Sequence, residues 1–289
     1  MEILDGRQRS QELMELYTQA VEKLKKVSVT PKLVVITVGE DPASFVYVRQ
    51  KKRRAEAVGM DFEWVTLGDE TSQEELEATI DKFNDDSKTS GIIVQFPLPN
   101  HLSGSRAMER IAIEKDVDGF HYYNAGLLVA GKAEFKPCTP KGILNLLEAH
   151  DIDVAGMDAV VIGRSQIVGM PIAIDLIHHN ATVTVCHSRT KDLKFYTQRA
   201  DLIVVAIGNA HMLDASYIKE GTILIDVGIN HLDDGKLVGD VDYEDVKDKV
   251  KAITPVPGGV GPMTVAMLME QTILAAIRQH GLDSREFLG

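Results

Sequence analysis

The sequence predicts an α/β protein of two domains, each built on a parallel sheet with helices on its faces. Three observations carry that reading. The chain has 289 residues, about twice a typical domain of roughly 150, which is enough to bury a core without disulfides or metals. Its first half alternates strand and helix in the order βαβαβ. In its second half strands open near Ala159, Ala181, Leu202 and Thr222, a step of about 20 residues that marks a doubly wound sheet. No internal repeat accompanies this rhythm, so it reflects the βα unit and not a solenoid.

Each element has its own local cause. Leu13, Leu16, Tyr17, Ala20 and Leu24 recur at helical spacing, and a buried strand follows at Leu33 to Val38. A second helix starts at Asp41-Pro42, with Asp41 as cap and Pro42 at the first helical position, and runs to a stop at Gly59. A strand around Phe62 to Leu67 leads to a helix opened by the capping box Ser72 and Glu75, with Leu76, Ile80 and Phe83 on its inner face. Gly91 to Phe96 reads as another buried strand. The domain boundary falls near Pro137 to Pro140, where Thr139 and Pro140 start a helix into the second domain. After the Pro/Gly-rich stretch Thr254 to Pro262, a last helix carries an apolar stripe, Val265, Leu268, Met269, Thr272, Ile273 and Ala276, fit to fold back onto the first domain.

Composition excludes several classes. With 44% hydrophobic and 26% charged residues, 23 Gly and 10 Pro, the chain is neither collagenous, coiled-coil nor disordered. Thirty-one Lys and Arg against 43 Asp and Glu leave a net charge of −12, which repels a nucleic-acid backbone. The longest unbroken apolar run, Leu202 to Ile207, is far short of the roughly 20 residues that span a bilayer. Acids at Glu2 and Asp5 stand where a signal peptide would be basic and then apolar. Cys138 and Cys186 are far apart with no Cys-x-x-Cys, so neither a disulfide framework nor a metal site is expected and a reducing cytoplasm fits.

The segment Ala159 to Pro171 is a strand, a glycine-containing turn and a helix that starts near a proline. Such a turn aims backbone N–H groups and a positive helix end at a pyrophosphate. It departs from strict Gly-x-Gly-x-x-Gly, because Ser165 replaces the second glycine and Gly169 comes one place late. The next strand, Thr182 to Cys186, ends in His187-Ser188-Arg189-Thr190, with no acid before Asp192 to bind the ribose hydroxyls of NAD. Arg164, Ser188 and Arg189 instead suit a ribose 2′-phosphate, which favours NADP. An ordinary βα turn and a solvated Arg189 are the competing explanations.

In the first domain Tyr47 and Lys51 lie four residues apart and project from one helix face. Lys51 also belongs to the run Lys51-Lys52-Arg53-Arg54, which a merely solvated basic face would explain. Gln95, before Phe96-Pro97-Leu98-Pro99, and Asp118, before Gly119, fall at strand ends where open sheets bind ligands. The loop Pro257-Gly258-Gly259-Val260-Gly261-Pro262 has little side-chain volume and can lie flat against a ring, or can serve as a hinge.

In this order, Pro42-Ala43-Ser44 with Tyr47 and Lys51, Val94 to Pro99, Lys115 to Phe120, Pro137 to Pro140, Gly163-Arg164-Ser165 through Pro171, His187 to Thr190, Asp226 to Asn230 and Pro255 to Pro262 resemble the methylenetetrahydrofolate dehydrogenase/methenyltetrahydrofolate cyclohydrolase family over essentially the whole chain. The resemblance implies a folate-binding catalytic domain over 1–138, completed by the C-terminal helix 263–289, and a Rossmann-like NADP-binding domain over 139–262, with a cleft between them. It implies two steps of one-carbon metabolism. In the first, 5,10-methylenetetrahydrofolate gives a hydride to NADP+; in the second, water opens the methenyl cation to 10-formyltetrahydrofolate.

By the same resemblance Lys51 manages protons in the second step, Gln95 orients it, Tyr47 contacts the folate, and Asp118 binds the pterin edge. Pro257, Gly258 and Gly259 line the folate site, and Gly163, Arg164, Ser165, Ser188, Arg189 and Ile229 hold the cofactor. Lys51 can act as a neutral base or as an ammonium beside a developing oxyanion, and both stay open. The family also implies a cytoplasmic homodimer joined through the second domain. The chain departs from the family pattern at Tyr122, where Pro is frequent, and at Asn209-Ala210, where Lys-Pro is common. Two other readings compete: a dehydrogenase of the shikimate or amino-acid type, and a catalytically silent dinucleotide sensor.

Overall fold

The computed structural model describes residues 1–288, the side chain of Ala43 excepted. Its strands are β1 (Glu2–Ile3), β2 (Lys32–Val38), β3 (Asp61–Leu67), β4 (Gly91–Val94), β5 (Asp158–Ile162), β6 (Thr182–Cys186), β7 (Leu202–Val205), β8 (Ile223–Asp226), β9 (Asn230–His231), β10 (Leu237–Val238) and β11 (Ala252–Ile253). The chain forms two compact units. One comprises Met1–Gln11, Leu128–Lys132 and Pro137–Thr264, the other Glu12–Leu127, Ala133–Lys136 and Val265–Gly289.

The second of these holds a three-stranded parallel sheet in the order β3-β2-β4. Its central strand β2 is buried from Leu33 to Val38, as a parallel strand covered on both faces must be. Val34, Ile36, Ile92 and Val94 pack against Leu76, Ile80 and Phe83 of the helix Gln73–Asp85. That helix opens with the expected capping box, Ser72 and Glu75 exchanging hydrogen bonds. The helix Pro42–Ala57 is capped by the Asp41 carboxylate, which accepts from Ser44 N, and Gly59 follows it at φ +84°. Trp64 is a packing residue: its ring meets Phe45 edge-on at 5.3 Å, and its Nε1 donates to Thr37 Oγ1. One expected core position fails. Leu16 is 53% exposed, and Met14 and Val21 join Leu13, Tyr17, Ala20 and Leu24 in the buried stripe instead.

The other unit is doubly wound, six parallel strands in the order β1-β11-β8-β7-β5-β6. Its strands open at Asp158, Thr182, Leu202 and Ile223, each within one residue of the expected start. Residues 1–138 are expected in the first domain, yet Met1–Gln11 belong to this unit. The reason is β1, which pairs with β11 at Glu2↔Ala252 and Ile3↔Ile253. Strands of two residues leave no periodicity to read.

The expected last helix runs Val260–Gln279, and by length and composition it could cross a membrane. Glu270, Gln271 and Thr272 interrupt its apolar run. Sixty-seven per cent of its apolar window is buried inside the protein, and Met263, Ala266, Met267, Met269, Ile273 and Ile277 are wholly enclosed. It is built as a core helix.

Candidate functional site

In the three-stranded unit β2 ends next to β4, and Gln95 N donates to Ile36 O just beyond the last strand residue. This puts the Gln95 side chain at the carboxyl edge of the sheet. Its Oε1 accepts from Lys51 Nζ at 3.0 Å, and its Nε2 donates to Phe96 O at 2.8 Å. Ser44 Oγ donates to the same carbonyl at 3.3 Å, so the first turn of the helix and the strand end are tied through one backbone group. A Cβ on Gly104 would lie 2.5 Å from Cε1 of the Phe96 ring, so any larger residue there shifts that ring.

The basic run does not behave as one face. Lys52 and Arg53 are exposed, whereas Lys51 is half-buried and turned to Gln95. Tyr47, one helical turn before Lys51, is 39% exposed.

Asp118 is half-buried in the turn that follows Val117, and two buried neighbours hold that turn. Lys115 Nζ donates to Phe83 O, Asn84 O and Asp86 O at the end of the helix Gln73–Asp85. Burial pushes the Lys115 amine below its ordinary range. The Asp116 carboxylate accepts from Phe120 N, His121 N and Asn124 Nδ2, and burial pushes it up. From the last helix, Gln271 Nε2 donates to Val117 O at 2.6 Å and to Lys136 O at 2.9 Å. At Tyr122 the departure from the family pattern is accommodated locally, since its N–H donates to Glu109 Oε1 at the start of the helix Tyr122–Val129.

In the six-stranded unit the turn after β5 is built from backbone. Gly163 sits at φ +125°, and a Cβ there would lie 2.4 Å from Ala206 O. A Cβ at Gly169 would lie 2.3 Å from Gly163 O. The helix Gly169–His178 therefore starts pressed onto the strand end. Ser165 Oγ accepts from Val168 N and Gly169 N. Arg164 and Ser165 are exposed.

On the neighbouring strand, paired at Ile162↔Cys186, the turn His187–Thr190 is closed by Thr190 N to His187 O and by His187 N to Thr190 Oγ1. Ser188 and Arg189 stand exposed on it, beside a cavity lined by His187, Arg189, Thr190 and Lys191. Among the described residues neither Arg164 nor Arg189 is in an ion pair. A tight glycine turn with two unneutralised guanidiniums beside it fits a phosphorylated dinucleotide. Ile229, just past β8, is 44% exposed.

The Pro257–Gly259 loop differs from the open surface its composition suggests. Pro257 is exposed, but Gly258 and Gly259 are buried. Gly258 O accepts from Arg7 N, and a Cβ on Gly6 would lie 1.8 Å from Gly259 O. The glycines let the loop close onto the start of the helix Gly6–Lys26.

A pair of acids that carried no assigned role in the sequence lies beneath this unit's strand ends. Asp226 closes β8, and its carboxylate accepts from Gly228 N, Asp240 N and Val241 N. Burial outweighs these donors and lifts it to about 6. Asp240 is wholly buried and accepts from Ile207 N, Gly208 N, Asn209 N and Asn230 Nδ2. The only sequence signal for Asp240 is an acid inside the otherwise apolar or small stretch Leu237 to Val241.

A parallel sheet with a lysine at its carboxyl edge, and a doubly wound sheet with a glycine turn, are the frame of two-domain nicotinamide-dependent enzymes. Family models narrow this. Residues 4–118 match the catalytic domain, and residues 137–280 the NAD(P)-binding domain, of tetrahydrofolate dehydrogenase/cyclohydrolase, and the chain belongs to that family.

It is 50% identical over 276 residues to the bifunctional protein FolD of Bacillus licheniformis, covering 96% of this chain and 97% of that one. Among solved structures, the bifunctional FolD methylenetetrahydrofolate dehydrogenase/cyclohydrolase of Campylobacter jejuni superposes with a TM-score of 0.95 at 48% identity, over 96% of this chain and 99% of that one. The FolD of Trypanosoma brucei, complexed with NADP cofactor and an inhibitor, gives 0.91 at 34% identity, over 96% and 97%.

Proposed function

We propose that this protein oxidises 5,10-methylenetetrahydrofolate with NADP+ and then hydrolyses the 5,10-methenyl product to 10-formyltetrahydrofolate. The observation that carries the reading is the hydrogen bond from Lys51 Nζ to Gln95 Oε1, set at a sheet edge in a member of the tetrahydrofolate dehydrogenase/cyclohydrolase family.

In the oxidation the folate carbon loses a hydride, and the adjacent nitrogen lone pair stabilises the cation that remains. NADP+ supplies the hydride acceptor. The chain's task in this step is to hold two ligands in register. Gly163 and Ser165 take the pyrophosphate, Arg164, Ser188 and Arg189 the 2′-phosphate, and Ile229 lies along the cofactor. In the hydrolysis water adds to the methenyl carbon and gives up one proton; the other ends on the departing nitrogen as one C–N bond breaks and the formyl C=O forms. Lys51 manages the released proton and Gln95 aims it. Because Gln95 is neutral, the same geometry serves Lys51 as an amine that takes the proton or as an ammonium that steadies the oxyanion. Tyr47 packs on the folate, Asp118 accepts from the pterin edge, and Pro257, Gly258 and Gly259 line the folate site.

The protein acts as a cytoplasmic homodimer in this reading, and light scattering giving a monomer would remove the dimer. The decisive assay follows methenyltetrahydrofolate by absorbance with NADP+ present. Formation and subsequent decay of that species support both steps, and its absence defeats the proposal.

A further inference from the structure

The turn after β7 is a backbone nest, three successive N–H groups at Ile207, Gly208 and Asn209 that converge on one point. Gly208 holds the bend at φ +65°. Nests of this kind ordinarily take a phosphate or another anion. Here the anion is internal. Asp240 Oδ2 accepts from Ile207 N at 2.8 Å and from Gly208 N at 3.0 Å, while Oδ1 accepts from Asn209 N at 2.7 Å and Asn230 Nδ2 at 2.9 Å.

The surrounding chain is shaped to admit it. A Cβ on Gly228 would lie 2.4 Å from Asp240 Oδ1, and one on Gly239 would fall on the Asp226 carboxylate that holds Asp240 N. Two glycines are thus spent on seating two acids, a costly arrangement if any residue would serve.

The strand order says what the nest adjoins. The glycine turn follows β5 and the Arg189 turn follows β6, so a dinucleotide anchored there has its adenosine half over β6. Its other half extends the opposite way, past the ends of β7 and β8. The nest closes β7, and Ala206 O already touches the position a Gly163 Cβ would take. With the nest filled by Asp240, the turn after β5 is left as the phosphate-binding turn.

We propose that Asp240 is a positioning residue for the dinucleotide: its buried carboxylate fixes the turn Ile207–Asn209 as the wall beside which the nicotinamide half lies. This rests on the NADP reading given above. It acts through the backbone of that turn and leaves the Lys51 centre in the other unit untouched.

The test compares the parent with Asp240→Asn, in which an amide N–H faces backbone donors, and with Asn230→Ala, which keeps the carboxylate and removes one of its donors. NADPH binding is read by titration calorimetry, KM for NADP+ and kcat by hydride transfer, and hydrolysis separately with methenyltetrahydrofolate, a step that uses no dinucleotide. Asp240→Asn is expected to weaken NADPH binding and raise KM for NADP+ about tenfold or more, with kcat within about threefold and hydrolysis within about twofold. This is the size of one strong charge-assisted contact. Asn230→Ala is expected to weaken binding about threefold, and it decides the matter if Asp240→Asn does not fold.

NADPH binding within twofold of the parent in the folded variants overturns the proposal. So does a parallel loss of hydrolysis and hydride transfer, which marks a purely structural role. A parent that binds no dinucleotide defeats the NADP reading itself, and this shows before any variant is made.

Discussion

At the carboxyl end of β4 the candidate site is made of side chains; at the carboxyl end of β5 it is made of backbone. The Lys51–Gln95 corner is a single hydrogen bond between two partly exposed groups, and replacing either residue removes it. The Gly163 turn has almost no side-chain chemistry of its own. Its shape comes from Gly163 and Gly169, which let chain segments approach where a Cβ would collide, with Asp226 and Asp240 accepting from the backbone of neighbouring turns. One site is replaceable atom by atom, the other only as a shape. Chemistry by side chain fails locally, whereas chemistry by backbone fails together with the fold around it.

The sharpest way to break the contrast is Lys51→Met. Proton management by a positioned group is worth about 10²- to 10⁴-fold, so the hydrolysis rate is expected to fall by about 10³-fold while NADPH formation remains measurable. Full hydrolysis in that variant would remove Lys51 from the mechanism.

Next is the 2′-phosphate. Arg189→Ala is expected to lower kcat/KM for NADP+ by roughly 10- to 100-fold, the equivalent of about 1.5 to 3 kcal/mol, with kcat/KM for NAD+ unchanged. An equal fall for both cofactors would place Arg189 elsewhere.

The backbone side is probed by two glycines with left-handed φ. Gly163→Ala meets Ala206 O, whereas Gly208→Ala has open space. The first is expected to cost about 2 kcal/mol or more and the second about 1 kcal/mol, read from urea midpoints. Equal costs would mean that the tight closure at Gly163 relaxes freely.

The smallest effect is in pH. Asp86 is held down to about 2, chiefly by its hydrogen bond from Thr89, and Asp226 is raised to about 6 by burial. A lowered acid stabilises the fold above its ordinary value near 3.9 and loses that contribution as pH falls toward 2. A raised acid does the reverse. Asp226 binds its proton more tightly in the folded state, so its contribution is present below about pH 4 and is lost as pH rises to 6. Carboxyl titration by NMR is expected to show the two midpoints on opposite sides of 4. Midpoints that coincide would contradict both environments.

What was legible in the sequence follows the same division. Asp41-Pro42, the Ser72–Glu75 box and the βα spacing are local signals, and each stands where its residues put it. Composition alone leaves Lys51 in a basic run with Lys52 and Arg53; the family resemblance singles it out, and the bond to Gln95, a strand away, gives the physical reason. β1 and β11 escape because a two-residue parallel pair joins distant stretches of chain with no pattern in either. Lys115 and Asp240 escaped for a related reason. A charge becomes buried when distant partners satisfy it, Phe83 to Asp86 in one case and Ile207 to Asn209 in the other, and nothing beside it in the chain announces them. Leu16 shows the limit of periodicity, since a stripe read at i, i+3 and i+4 has two edges and the structure chose the Met14–Val21 side.

The bond from Gln271 to the carbonyl of Val117 spans 154 positions, and it bears on synthesis. A ribosome makes Gln271 long after Asp118, so the turn that carries Asp118 stays without this anchor while β5 to β11 are being made. A nascent chain can complete β2, β3 and β4 and still lack a fixed Asp118 turn. The sheet whose strands are made first is therefore the one whose neighbouring turn is anchored last.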